Sequence, residues 1–334
     1  MRTSAGSRGR EARVCLCHDG AVTLPRRPLG KSGIDVSIMS LGSWRTYERL
    51  SRDEGIAVRR AAREAGIDFL DDARYDDETG TAPIPTGWSE VVFGDLFRSS
   101  GWRRDDVTIA NKLWWERWPD EDATSELDGS LKRMGLEHVD LIYAIVPPPT
   151  LPVATVVEQV AGLIASGRAR AWGTGMWSGE ALAAALDVCD DAGAPRPVAA
   201  QMGCSLAEAR AAGDPTIRAA LDRGPSGLVA AHVLAGGTLT GKYLDRPEQP
   251  GRAGMDDSPV ARRGREIAPR LAELGTAWGV ATVHLAFAYA LGHPNLASIV
   301  FGATHPEQVR ANIRAVEVFE SLDASQRATI DSLA

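Results

Sequence analysis

The chain has 334 residues, 44% of them hydrophobic and 24% charged, with a net charge of −7 and a pI near 5.5. That acidity, and the lack of a basic stripe broken by aromatics, argues against a nucleic-acid partner and fits a soluble cytoplasmic protein. No run reaches the roughly 18 apolar residues of a membrane helix, and four cysteines, Cys15, Cys17, Cys189 and Cys204, are too few and scattered for a disulfide framework.

In chain order, residues 1–27 read as a flexible extension without a secretory signal, because the start is rich in Arg, Ser and Gly and holds no apolar run. Cys15-Leu16-Cys17-His18 has the spacing of half a metal site, but no second ligand pair follows, and no metal is expected. Residues 28–334 read as one domain. Short apolar runs at 36–41, 68–71, 107–111, 139–145, 170–174, 198–201, 227–231 and 297–301 alternate with amphipathic stretches such as 52–64, 89–98, 122–133, 155–165 and 179–189. Ser51, Ser178 and Thr304 stand where helix N-caps belong, ahead of Glu54, Glu180 and Glu307.

Eight strands, each followed by a helix, predict parallel strands joined by crossovers, and the length suits a (β/α)8 TIM barrel. The alternative, a doubly wound dinucleotide fold, lacks its fingerprint: Gly173-Thr174-Gly175 is followed by Ser178 where a third glycine is needed. Long loops at 76–87 and 245–259 both follow strand C-termini, the rim where barrel enzymes keep their chemistry. Trp114, Trp115 and Trp118, with Trp88, suit either the wall of an apolar pocket or loop packing. His138, His284 and His293 show no ligand spacing.

Three segments in order resemble the aldo-keto reductases. Leu29-Gly30-Lys31-Ser32-Gly33, with Leu41-Gly42-Ser43-Trp44, is similar to the family's opening. Gly236-Gly237-Thr238-Leu239-Thr240-Gly241-Lys242-Tyr243 is similar to its loop over the cofactor pyrophosphate, where glycines admit phosphate and a lysine adds charge. Phe301-Gly302-Ala303-Thr304-His305-Pro306-Glu307-Gln308, with Asn312, is similar to its adenosine-binding segment. Ala171-Trp172-Gly173-Thr174-Gly175-Met176-Trp177-Ser178 looks most like the branch that contains potassium-channel beta subunits. The resemblance implies a nicotinamide cofactor, NADPH rather than NADH, held by Gly42, Ser43, Trp44, Gln201, His232, Leu234, Gly237, Leu239, Lys242, Gly302, Thr304, His305, Gln308 and Asn312. His305 stands where many relatives carry an arginine for the 2′-phosphate, and His232 replaces a serine.

The resemblance also implies a catalytic set that reduces a small-molecule carbonyl. Asp71 and Lys112 close the second and third strands, where the family has its aspartate and lysine. The family's tyrosine follows as Asp-Thr-Ala-x-x-Tyr; here Asp71-Asp72-Ala73-Arg74-Tyr75-Asp76 brings Tyr75 one residue early. An unperturbed phenol is a poor acid at neutral pH unless an ammonium stabilises its phenolate, which is the part expected of Lys112. The family histidine that orients the carbonyl is replaced by Ile145 in Asp140-Leu141-Ile142-Tyr143-Ala144-Ile145-Val146-Pro147, which removes a hydrogen-bond donor worth ~10²–10³ in rate. Three activities stay open: an NADPH-dependent aldehyde or ketone reductase, a cofactor-binding regulatory subunit with little turnover, and a barrel with altered acid–base chemistry. An oligomer is compatible with each.

Overall fold

The computed structural model describes residues 24–77, 79–209, 213–244 and 256–334. An antiparallel hairpin, β1 (Arg26–Pro28) and β2 (Asp35–Ser37), precedes eight strands. These are β3 (Met39–Gly42), β4 (Phe69–Asp71), β5 (Thr108–Leu113), β6 (Val139–Ile145), β7 (Ala169–Gly175), β8 (Ala199–Gly203), β9 (Gly227–Ala231) and β10 (Leu296–Phe301). They pair in parallel in sequence order, and β10 closes on β3, so the (β/α)8 barrel expected from the alternation of elements is the fold.

Helices α1 (Arg52–Glu64), α2 (Trp88–Ser99), α3 (Ala123–Met134), α4 (Val153–Ala165), α5 (Gly179–Ala192) and α6 (Pro215–Arg223) follow β3 to β8 in turn. After β9 come α7 (Pro259–Trp278) and α8 (Thr282–Leu291), and after β10 come α9 (Pro306–Ile313), α10 (Ala315–Ser321) and α11 (Ala324–Asp331). Local chemistry sets the starts. Ser51 and Glu54 form a reciprocal capping box on α1, and Ser178 accepts from the Ala181 amide at 3.2 Å. Thr304 is not a cap: α9 begins at Pro306 behind His305, while the Thr304 amide and hydroxyl both turn to Gln308 Oε1.

The run 36–41 is not one strand. It breaks at Ile38, whose amide donates to Pro25 O, so 35–37 pairs with β1 and 39–42 enters the barrel. The hairpin plugs the N-terminal end of the barrel: Leu29, Ile34 and Val36 pack with the inward-facing Phe69, Leu141 and Val229. Burying those side chains contributes about 1.5–3 kcal/mol each, and it closes the end opposite the C-terminal rim. The folded body thus starts ahead of residue 28, with Leu24 buried and β1 at Arg26. Cys15, Cys17 and His18 lie outside the described residues, as does most of the loop 245–259. Cys189 and Cys204 are buried free thiols. Among the described residues no single helix is long and apolar enough to cross a membrane.

Candidate active site

Strand alternation puts Asp71, Lys112, Tyr143 and Gln201 on the inner face of the barrel near its C-terminal mouth. Lys112 Nζ donates to Asp71 Oδ1, and Gln201 Nε2 donates to Asp71 Oδ2 at 2.8 Å. All three side chains are buried. Burial alone draws the Lys112 ammonium down, but the charge of Asp71 and the hydrogen bond to it outweigh that, so its pKa stands above the ordinary lysine value. A buried ion pair is retained in this way only where its remaining polar positions are also filled, and Gln201 fills one of them.

Tyr75 joins this cluster despite its early position in the sequence. Its amide closes a tight turn onto Ala73 O at 2.8 Å and also donates to Ser89 Oγ at the start of α2, which swings the side chain back over the barrel. Lys112 Nζ lies 5.5 Å from the centre of the Tyr75 ring. Asp76 is exposed. The expected effect on the phenol is only partly realised. Burial raises its pKa, Lys112 opposes this and Asp71 adds to it, and the net value stands above that of a free tyrosine. Tyr75 is therefore held as a protonated hydroxyl at neutral pH, able to give a proton where negative charge develops beside it. The loop beyond it is organised by Asp77, whose carboxylate accepts from the amides of Thr79, Thr81 and Ala82 at 2.9, 2.5 and 2.5 Å.

Asp72 was not foreseen as a functional group. It stands where the family has threonine, is wholly buried, accepts from the Ser43 hydroxyl through Oδ1, and leaves Oδ2 without a partner. Burial, then the charge of Glu90, lifts its carboxyl to about 7. The one legible signal was the Asp71-Asp72 pair at a strand end, where alternation sends the two carboxylates apart.

Ile145 occupies the inner face of β6 two residues beyond Tyr143 and packs its Cδ1 where a Cβ on Gly175 would lie. The turn after β5 covers it. Trp115 holds left-handed backbone (φ 62°) and donates its indole N–H to Ile145 O at 3.1 Å. Trp114 sets its ring edge-on to Tyr75, centroids 5.9 Å apart. The buried Glu126 fixes the turn by accepting from the amides of Trp114 and Trp115 at 2.8 and 3.2 Å. Positive φ at four non-glycine residues after alternate barrel strands, Arg45, Trp115, Met176 and His232, marks the same rim. Such strain, of order 1–3 kcal/mol each, collects at functional sites.

The residues expected to hold the nicotinamide dinucleotide are spread along the rim after β3, β8, β9 and β10. Trp44 and His232 join two of these loops, ring centroids 5.1 Å apart, with Arg45 stacked on Trp44 at 4.6 Å. His232 Nδ1 is 3.8 Å from Glu208 Oε2, a contact the sequence did not reveal. The loop after β9 fits an anionic group. Gly236 and Gly237 hold φ of 68° and 103°, a Cβ on Gly237 would meet nothing closer than 3.9 Å, Lys242 is exposed, and the buried Tyr243 hydroxyl is orphaned. Asn312 is buried and His305 exposed at the start of α9.

Other side chains are engaged within the protein. Leu239 is fully buried and packs in the cluster of Leu271 and Leu285, so only its backbone faces the loop; Leu234 is partly buried against the same cluster. Gly42 leaves room for Val300, whose Cγ2 would be 2.8 Å from a Cβ there. Ser43 is bound to Asp72, Gln201 to Asp71, and Thr304 to Gln308. Gly302 is partly buried between β10 and α9.

A closed parallel barrel with a buried aspartate–lysine pair beside a tyrosine at its C-terminal mouth has the architecture of the barrel reductases. The family model described as the aldo/keto reductase family matches residues 38–334, and the chain belongs to that family. Among curated proteins it is 30% identical to a probable voltage-gated potassium channel subunit beta of Oryza sativa subsp. japonica, over 88% of this chain and 92% of the relative. A protein of the same description from Arabidopsis thaliana is 29% identical over the same shares. The branch suggested by the 171–178 segment is thus the one these relatives represent.

Proposed function

We propose that the protein is an NADPH-dependent oxidoreductase that reduces an aldehyde or ketone in the cytoplasm, with Tyr75 as proton donor. One observation carries this reading: Asp71, Lys112, Gln201 and Tyr75 converge at the C-terminal mouth of the barrel although they lie on three strands and a loop. The cofactor supplies the hydride when bound. The residues placed to hold it are the loop around Gly237 and Lys242 for the pyrophosphate, His305, Gln308 and Asn312 for the adenosine end, and Trp44 and His232 between them. His305, exposed beside the first turn of α9, suits a 2′-phosphate and favours NADPH over NADH. Lys112 steadies charge on the Tyr75 oxygen as its proton leaves, and Asp71, with Gln201 behind it, fixes the ammonium in place. The apolar Trp114 and Ile145 limit water around the acceptor carbon.

A second reading, a cofactor-binding regulatory subunit, is favoured by Ile145, which offers no hydrogen bond to a carbonyl, and by the description of the plant relatives as channel subunits. Titration with NADPH and with NADH, followed by quenching of tryptophan fluorescence, separates these readings once combined with an aldehyde and ketone panel. Saturable NADPH binding weakened by Lys242→Ala, with turnover lost in Tyr75→Phe, supports the reductase. Tight binding without turnover on any carbonyl supports the subunit.

A further inference from the structure

Among the described residues, buried polar atoms without a partner near Tyr75 and Lys112 include Asp72 Oδ2, Tyr143 Oη and Trp114 Nε1, with Arg74 Nε on a guanidinium already paired to Glu116 and Glu126. Asp72 is turned away from the barrel interior toward Ser43. Tyr143 is the register partner of Lys112, with its ring against Gly173 and 5.7 Å from Lys112 Nζ, two residues short of Ile145 on the same strand. Trp114 is different, because it sits at the mouth with its ring against Tyr75. Its indole nitrogen is a donor only, and leaving it unpaired costs about 1–3 kcal/mol. The supporting turn is built, not incidental: Glu126 takes both backbone amides, Trp115 accepts a left-handed conformation, and the Trp115 indole is tied to the carbonyl of Ile145. One two-residue turn therefore touches both the proposed acid and the residue that displaced the family's second donor.

We propose that the Trp114 indole N–H is the second hydrogen-bond donor to the substrate's carbonyl oxygen, beside the Tyr75 hydroxyl, in the place Ile145 leaves vacant. In the reduction the carbonyl carbon gains a hydride from NADPH, leaving NADP+, and the oxygen gains the Tyr75 proton, which solvent later replaces; the indole keeps its own proton throughout and only stabilises the charge developing on oxygen. The inference rests on the reductase reading, so its test includes a readout that needs no turnover.

Uniformly ¹⁵N-labelled protein with NADP+ bound, its binding followed by fluorescence, is titrated with benzoate as an anionic stand-in for the reacting oxygen and with benzaldehyde. The Trp114 indole resonance is assigned from its loss in Trp114→Phe. The expected result is a downfield movement of that resonance with either probe. Trp114→Phe, which keeps the aromatic wall, is also expected to lower kcat by ~10²–10³ with NADPH affinity unchanged, and Ile145→His to restore most of the loss. A resonance unmoved by both probes overturns the proposal, as does a Trp114→Phe enzyme with altered KM but unchanged kcat. Failure of NADP+ and NADPH to bind overturns the reductase reading and this proposal together. Nucleotide binding without turnover, but with the resonance shift, overturns only the reductase reading.

Discussion

Replacing Asp72 by asparagine tests how the barrel tolerates a second carboxylate beside Asp71. The wild-type carboxyl is fully buried, with one oxygen on the Ser43 hydroxyl and the other without a partner. Burial and the charge of Glu90 move it from 3.8 to about 7, against the pull of Ser43, the Ala73 amide and Arg59. The folded pKa is raised, so the unfolded chain loses this proton first. The associated stability is complete below about pH 4 and is lost as pH rises through about 7. Three powers of ten in proton affinity, at about 1.4 kcal/mol each, make the loss on the order of 4 kcal/mol. Asparagine keeps an acceptor for Ser43 and never ionises, but its amide nitrogen is left unpaired at a cost of about 1–3 kcal/mol at every pH. The variant should be less stable than wild type near pH 4 and more stable above pH 7. Urea denaturation of both proteins across this window measures the difference, in which the other titrating groups cancel. A difference that stays flat with pH would refute the reasoning and place a partner, such as an internal water, on Asp72 Oδ2.

Tyr75→Phe should lower kcat/KM for a carbonyl substrate by ~10²–10⁴ and leave nucleotide affinity unchanged in a fluorescence titration. Lys112→Met leaves Asp71 buried without its counter-charge, and should reduce the free energy of unfolding in urea by about 3–5 kcal/mol. Ile145→His adds a donor beside one that Trp114 already supplies, so alone it should raise steady-state rates on an aldehyde by less than about tenfold, whereas in Trp114→Phe it should recover most of a ~10²–10³-fold loss. Gly94→Ala, on α2 away from the site, would drive its Cβ into the carbonyl of Met134; it should lower the urea midpoint by the equivalent of about 1–3 kcal/mol with the rate per folded molecule unaltered.

The barrel was legible in the sequence because its strands are buried on both faces and so appear as continuous apolar runs; 139–145 and 227–231 match β6 and β9 to the residue. The β1–β2 hairpin was not, since its strands, Arg26–Pro28 and Asp35–Ser37, are three residues long and too short to carry an apolar run or an alternation. The break at Ile38 comes from a backbone bond to Pro25, which an apolar run cannot announce. In the site, Asp71 and Lys112 stood at strand ends, where position alone fixes direction. Tyr75 depended on a loop, and Ser89, fourteen residues on, decides its aim. The environments of Asp72, Trp114 and His232 were invisible because their partners, Ser43, Glu126 and Glu208, come from other elements.

The most direct test of the account is to supply NADPH deuterated at its transferable hydride position, with an aldehyde in excess, and to examine the product by mass spectrometry. The account predicts an alcohol carrying one deuterium on the former carbonyl carbon, formed by the wild-type protein and not by Tyr75→Phe. An alcohol without deuterium, or equal labelling by both proteins, would contradict it.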